Sequence, residues 1–288
     1  MASTINSLTL PHRDHKLLPV MKASIPHRYN VTVQGEEKQP MLFAHGFGCD
    51  QTMWRYVAPA FNDDYQVIKF DYIGHGRAAL DAYNQERYAS LHGYAQDILD
   101  ICHDLDLHDV ILVGHSVSSM IGLLACIKEP QRFNRLVMVG PSARYMNDEG
   151  YYGGFERDDI EGLLDMMDNN FFGWATSLGP SIMANADEPQ LSTELVTTFC
   201  STDLEVALQF ARVTFYSDNR QELPKMPTPS LVIQSLDDII APVEVGEYIA
   251  KHTPNSTLRV ITATGHCPHL SAPGETIEAI RHFLLTEN

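Results

Sequence analysis

Residues 110–127, VILVGHSVSSMIGLLACI, leave few architectures open to the chain. The first four are apolar and rich in β-branched side chains, which suits a buried strand. Residues 116–127 are apolar or small on nearly every face, which suits a buried helix. Joining the two through Gly114-His115 forces a sharp turn, and Ser116 stands on it. In a G-x-S-x-G elbow, small neighbours let the backbone bend until the serine hydroxyl stands clear, with N–H groups of the following helix aimed at the same point. Ser118 fills the fifth position in place of glycine and is still small enough to keep helix and strand close. Capping a helix is the plainer role for such a serine, so the rest of the chain must carry the case.

A chain of 288 residues, 44% hydrophobic and 20% charged, is long enough for one large core with an inserted subdomain. A formal net charge of −17 argues against nucleic acid and anionic membrane surfaces as partners. Apolar runs such as 120–127 fall far short of the ~20 residues needed to span a bilayer, and residues 1–20 show no secretory h-region. The cysteines, Cys49, Cys102, Cys126, Cys200 and Cys267, are odd in number and form no C-x-x-C, so free thiols and a cytoplasmic location are expected. His12 and His15, in a polar segment without period, read as solvated residues. No histidine pair has ligand spacing on a clear helix or strand, so neither a metal nor another cofactor is expected.

Residues 29–33 alternate like an edge strand, and 41–44 form a short buried strand followed at once by His45-Gly46-Phe47-Gly48, a tight backbone bend. A helix is expected over 51–59 around Trp54, a strand over 66–70 and a helix over 88–107. Gly74-His75-Gly76 lacks the third glycine of a dinucleotide fingerprint. The strand at 135–139 follows the elbow helix. Strands separated by helices in this way imply an α/β fold, a parallel sheet with helices on both faces. The alternation stops over 145–219, where Ile160, Leu163, Leu164 and Met167 make one helical stripe and 195–199 and 206–215 suggest two more helices. Such an insertion, rich in aromatics including Phe155, Phe171, Trp174 and Phe215, is placed to cover the sheet's carboxyl edge as a lid. The sheet resumes at 229–234, ending at Asp237-Asp238. A helix at 243–252, a strand at 257–263, the turn at Gly265-His266 and a helix at 276–285 complete the chain.

Serine, acid and histidine thus occur in that order, each at the end of an expected strand. A serine hydroxyl needs an imidazole to take its proton, and the imidazole needs a carboxylate to fix its tautomer. Ser116, His266 and Asp238 fill these roles, with His269 and Asp237 the competing base and acid. The N–H groups of Phe47 and Val117 are placed to form an oxyanion hole.

Taken together, residues 45–51 (HGFGCDQ), 114–118 (GHSVS), 153–156 (GGFE) and 265–269 (GHCPH) resemble the RsbQ-like α/β-hydrolases, a family that includes the plant strigolactone and karrikin receptors. The likeness runs from about residue 29 to the C-terminus, with 1–28 a polar extension outside it. It implies an α/β-hydrolase core over 29–144 and 220–288 and a four-helix V-shaped lid over 145–219. It places the catalytic acid on Asp238 and the pocket lining on Phe47, Val117, Tyr145, Phe155, Leu163, Phe215 and Ile239. It further implies slow hydrolysis of a small hydrophobic ester, lactone or enol ether. The other activity it implies is ligand sensing, with a lid that binds a partner protein such as a phosphatase.

Overall fold

The computed structural model describes residues 24–286, so His12, His15 and most of the polar extension lie outside the described residues. Seven strands form one sheet: β1 (Thr32–Gln34), β2 (Pro40–Ala44), β3 (Gln66–Lys69), β4 (Val110–His115), β5 (Phe133–Val139), β6 (Ser230–Asp237) and β7 (Ser256–Thr264). Their order is β1-β3-β2-β4-β5-β6-β7, with β1 antiparallel to β3 and every other pair parallel. Central strands β2 and β4 are buried at every position. This is why they read as continuous apolar runs: a parallel sheet covered on both faces has no solvent side to alternate with.

Ten helices accompany the sheet among the described residues: α1 (Ile25–Arg28), α2 (Leu91–Asp104), α3 (Val117–Lys128), α4 (Arg157–Asn169), α5 (Phe171–Met183), α6 (Pro189–Ser201), α7 (Leu204–Phe215), α8 (Val243–His252), α9 (Pro268–Ser271) and α10 (Pro273–Thr286). One face of the sheet packs on α2, α3 and α8 through residues such as Leu112, Ile98, Ile121 and Ile249. The other packs on α10 and the turns around Trp54 and Phe61. Helices α4 to α7 all lie between β5 and β6 and pack in one cluster around Ile160, Trp174, Leu195 and Phe215, which also takes in Met53, Tyr145 and Leu270 from outside these helices. None of the described helices is long and apolar enough to cross a membrane.

Two local expectations need correction. The edge strand starts at Thr32, not at residue 29, because Tyr29 ends the one-turn helix α1 and Asn30 takes a left-handed φ of 46°. The helix around Trp54 is instead two 3₁₀ turns, Gln51–Trp54 and Ala58–Phe61. Asp50 caps the first, accepting from the Thr52 N–H at 2.8 Å. Pro59 has no N–H to offer an α-helical ladder and would crowd the carbonyl four residues earlier.

Candidate active site

Ser116 stands between β4 and α3 with φ 55° and ψ −123°, a strained conformation for a residue with a Cβ. Its N–H donates to the Val139 carbonyl at 2.8 Å, which fixes the elbow to the neighbouring strand. His266 follows β7 and Asp238 follows β6, so three strand ends bring the three side chains to one edge of the sheet. His266 Nε2 lies 2.7 Å from Ser116 Oγ, and His266 Nδ1 lies 2.7 Å from Asp238 Oδ2. The other carboxylate oxygen of Asp238 accepts from the N–H groups of Ile240 and Ala241 at 2.8 and 3.2 Å. Both oxygens are therefore committed, and the carboxylate is held in place for Nδ1. All three residues are buried.

The competitors are elsewhere. The Asp237 side chain is exposed, and its contribution is a main-chain carbonyl that accepts from Gly265 N–H at 2.7 Å. His269, on α9, is fully buried between the Trp54 and His115 rings at centroid distances of 4.6 and 4.3 Å. Neither of its ring nitrogens has a partner, and burial pushes its imidazole down to about 3.

The loop carrying His266 is held from outside. Gly265 adopts φ +88°, and a Cβ there would lie 2.0 Å from the Met183 carbonyl oxygen, so glycine is required. The next N–H, that of His266, donates to Ile182 C=O at 2.8 Å. Asn185 Nδ2 bridges the carbonyls of Met183 and Thr264, the latter at 3.0 Å. On the far side, His115 Nε2 lies 2.8 Å from the His266 carbonyl oxygen.

Phe47 follows β2 in the turn after His45. Ser118 Oγ donates to the His45 carbonyl at 2.5 Å, and His45 Nε2 accepts from the Tyr72 N–H at 3.1 Å, leaving Nδ1–H to face the Gly46 carbonyl at 2.9 Å. Burial keeps the His45 imidazole neutral by lowering its pKa. The N–H groups of Phe47 and Val117 donate to no protein acceptor among the described residues.

A cavity of about 110 Å³ opens over Ser116 and His266. Phe47, Tyr145, Phe155, Leu163, Phe215 and Ile239 all line it. Val117 does not: its side chain packs in the core between sheet and helices, because the elbow turns it away from the serine hydroxyl. Residues not picked out as lining from sequence include Trp174, Phe199, Ile182, Thr214 and His115. The aromatic content of the insertion was the available signal for the first two. Cys49 and Cys267 also line the cavity, and burial raises both thiol pKa values well above the ordinary range, keeping them protonated. Tyr145 is likewise pushed up by burial, with its hydroxyl 3.5 Å from Ser116 Oγ.

A mostly parallel sheet with an elbow serine, a histidine and an acid gathered at its carboxyl edge defines the α/β-hydrolase class. Residues 41–279 match the alpha/beta hydrolase family. Karrikin insensitive 2 receptor CA of Petunia hybrida is 37% identical over 261 residues, covering 90% of this chain and 97% of the relative. Strigolactone esterase D14 of Arabidopsis thaliana is 35% identical, covering 88% and 96%. A solved hydrolase from Oleispira antarctica is 42% identical with a TM-score of 0.89, covering 91% of this chain and 97% of its own. The chain belongs to the alpha/beta hydrolase family, in the group that holds the plant karrikin and strigolactone receptors.

Proposed function

We propose that the protein is a serine hydrolase that opens a small hydrophobic ester, lactone or enol ether through an acyl-Ser116 intermediate. The observation that carries this reading is the Ser116–His266–Asp238 relay, 2.7 Å at each step, on the floor of an apolar cavity. Ser116 Oγ attacks the carbonyl carbon while His266 Nε2 takes its proton and Asp238 steadies the resulting imidazolium. The developing oxyanion lies toward the N–H groups of Phe47 and Val117. Collapse returns the proton from Nε2 to the leaving oxygen, and water repeats the sequence to release the acid. In this reading 145–219 is a lid over a core of 29–144 and 220–288. Phe47, Tyr145, Phe155, Leu163, Phe215 and Ile239 shape the ligand. Unpaired cysteines, Cys200 exposed and the other four buried, are consistent with a reducing, cytoplasmic setting.

A second reading is favoured by the relatives named as receptors: slow turnover serves ligand sensing, and the lid engages a protein partner such as a phosphatase. Intact-mass spectrometry tests the first reading. Wild type and Ser116→Ala are incubated separately with an aryl ester and with a sulfonyl fluoride. A covalent adduct and released phenol in wild type alone are expected. An unlabelled, folded wild type overturns the hydrolase reading and leaves binding alone.

A further inference from the structure

We propose that His115 is a positioning residue for proton transfer between Ser116 and His266, acting through the main-chain carbonyl of His266. The proposal rests on the acyl-serine reading above. His115 ends β4, directly before the elbow, and is buried. Its Nε2 reaches the His266 carbonyl oxygen at 2.8 Å across 151 residues of chain. A carbonyl only accepts, so Nε2 carries the hydrogen and Nδ1 is a bare acceptor. That Nδ1 is buried with no partner and faces Gly46, where a Cβ would lie 2.4 Å from it. An apolar side chain of this size would avoid stripping water from an acceptor that then goes unpaired. The retained imidazole spends its one donor on the loop that carries the catalytic histidine.

That loop needs the help. The His266 ring must meet Ser116 Oγ and Asp238 Oδ2 at once, which it does only if its Cα is correctly placed. The residue before it has the left-handed φ of +88°. Ile182 C=O restrains the His266 N–H from one side, and His115 restrains the carbonyl from the other. The His115 and His266 rings are 5.1 Å apart. Burial and the neighbouring imidazoles hold the His115 pKa down, so no second cation opposes protonation of His266 during attack.

Three variants test this: His115→Phe keeps a ring without a donor, His115→Gln carries an amide N–H₂ at the reach of Nε2, and His115→Asn carries one that falls short. Each is assayed with p-nitrophenyl acetate and for its rate of labelling by an alkyl fluorophosphonate. Thermal unfolding and near-ultraviolet circular dichroism check the fold. Phe and Asn are expected to lose about 10- to 100-fold in kcat and labelling rate with KM changed less than about twofold, and Gln to stay within about threefold of wild type. If the Phe variant does not fold, the Asn and Gln pair carries the test. Wild-type rates in Asn, equal losses in Gln and Asn, or a loss confined to KM would each overturn the positioning role. An unlabelled wild type would instead overturn the acyl-serine reading on which it rests.

Discussion

Tyr72 and Ser118 share a buried hydrogen bond of 2.9 Å, and because Ser118 gives its own proton to the His45 carbonyl, Tyr72 is the donor. The elbow's departure from glycine is thus a tie between α3, the turn after β2 and the chain leaving β3. Ser118→Ala leaves a buried hydroxyl and a buried carbonyl without this partner. It should lower unfolding stability in urea by about 1–3 kcal/mol. An unchanged midpoint and slope would show that the tie contributes nothing.

Asp238→Asn should lower kcat on an aryl ester by about a thousand- to ten-thousand-fold, because the amide presents the wrong hydrogen-bonding partner to Nδ1. Asp237→Asn leaves the main-chain carbonyl that holds Gly265 in place, so its kcat should stay close to wild type. Comparable losses in both variants would remove the distinction between the two acids.

His269 links stability to pH. With its imidazole pushed down to about 3 from an ordinary 6.5, the unfolded chain binds a proton between those values that the folded chain does not. Stability therefore falls as pH drops through that window. His269→Phe removes this proton and should lessen the acid slope by up to about 1.4 kcal/mol per pH unit, while turnover persists. Urea titrations at pH 7, 6 and 5 should show the gap in favour of the variant widening toward acid. Parallel curves would mean that the site does not exclude the proton.

Trp174 stacks on Phe171 at 5.7 Å and meets Phe47 edge-on at 6.1 Å, at the cavity wall. Trp174→Leu makes room beyond the scissile carbonyl. The ratio of kcat/KM for p-nitrophenyl butyrate over acetate should rise about tenfold. The stability loss should fall below the ~3–5 kcal/mol typical of cutting a buried tryptophan to alanine. An unchanged ratio would place the acyl group elsewhere in the cavity.

The core strands were legible because β2 and β4, buried on both faces, leave uninterrupted apolar runs. Ser116, Asp238 and His266 each lie just past the carboxyl end of a strand, a position the sequence marks. Helix α5 was harder to see: Gly173, Gly179 and Pro180 interrupt its pattern, and its inward face is set by packing on α4 and α6. The side-chain direction of Val117 depends on the strained turn at Ser116, which no periodicity reports. The ring formed by His45, Tyr72 and Ser118 joins residues of three separate segments, and nothing local marks them as partners. Likewise, residues 29–33 read as one edge strand, whereas the hydroxyl of Tyr29 reaches Asp97 at 3.0 Å.

The bond from His266 N–H to the Ile182 carbonyl bears on how such proteins diversify. A segment inserted between two strands looks like a module that evolution or an engineer can exchange whole. Here its second helix supplies part of the seat of His266, and Asn185 fastens the same corner to the end of β7. A chimaera that imports a foreign insertion must therefore preserve the backbone path of residues 182–185. Junctions drawn only at the ends of β5 and β6 would transplant the cavity wall together with a foreign alignment of His266.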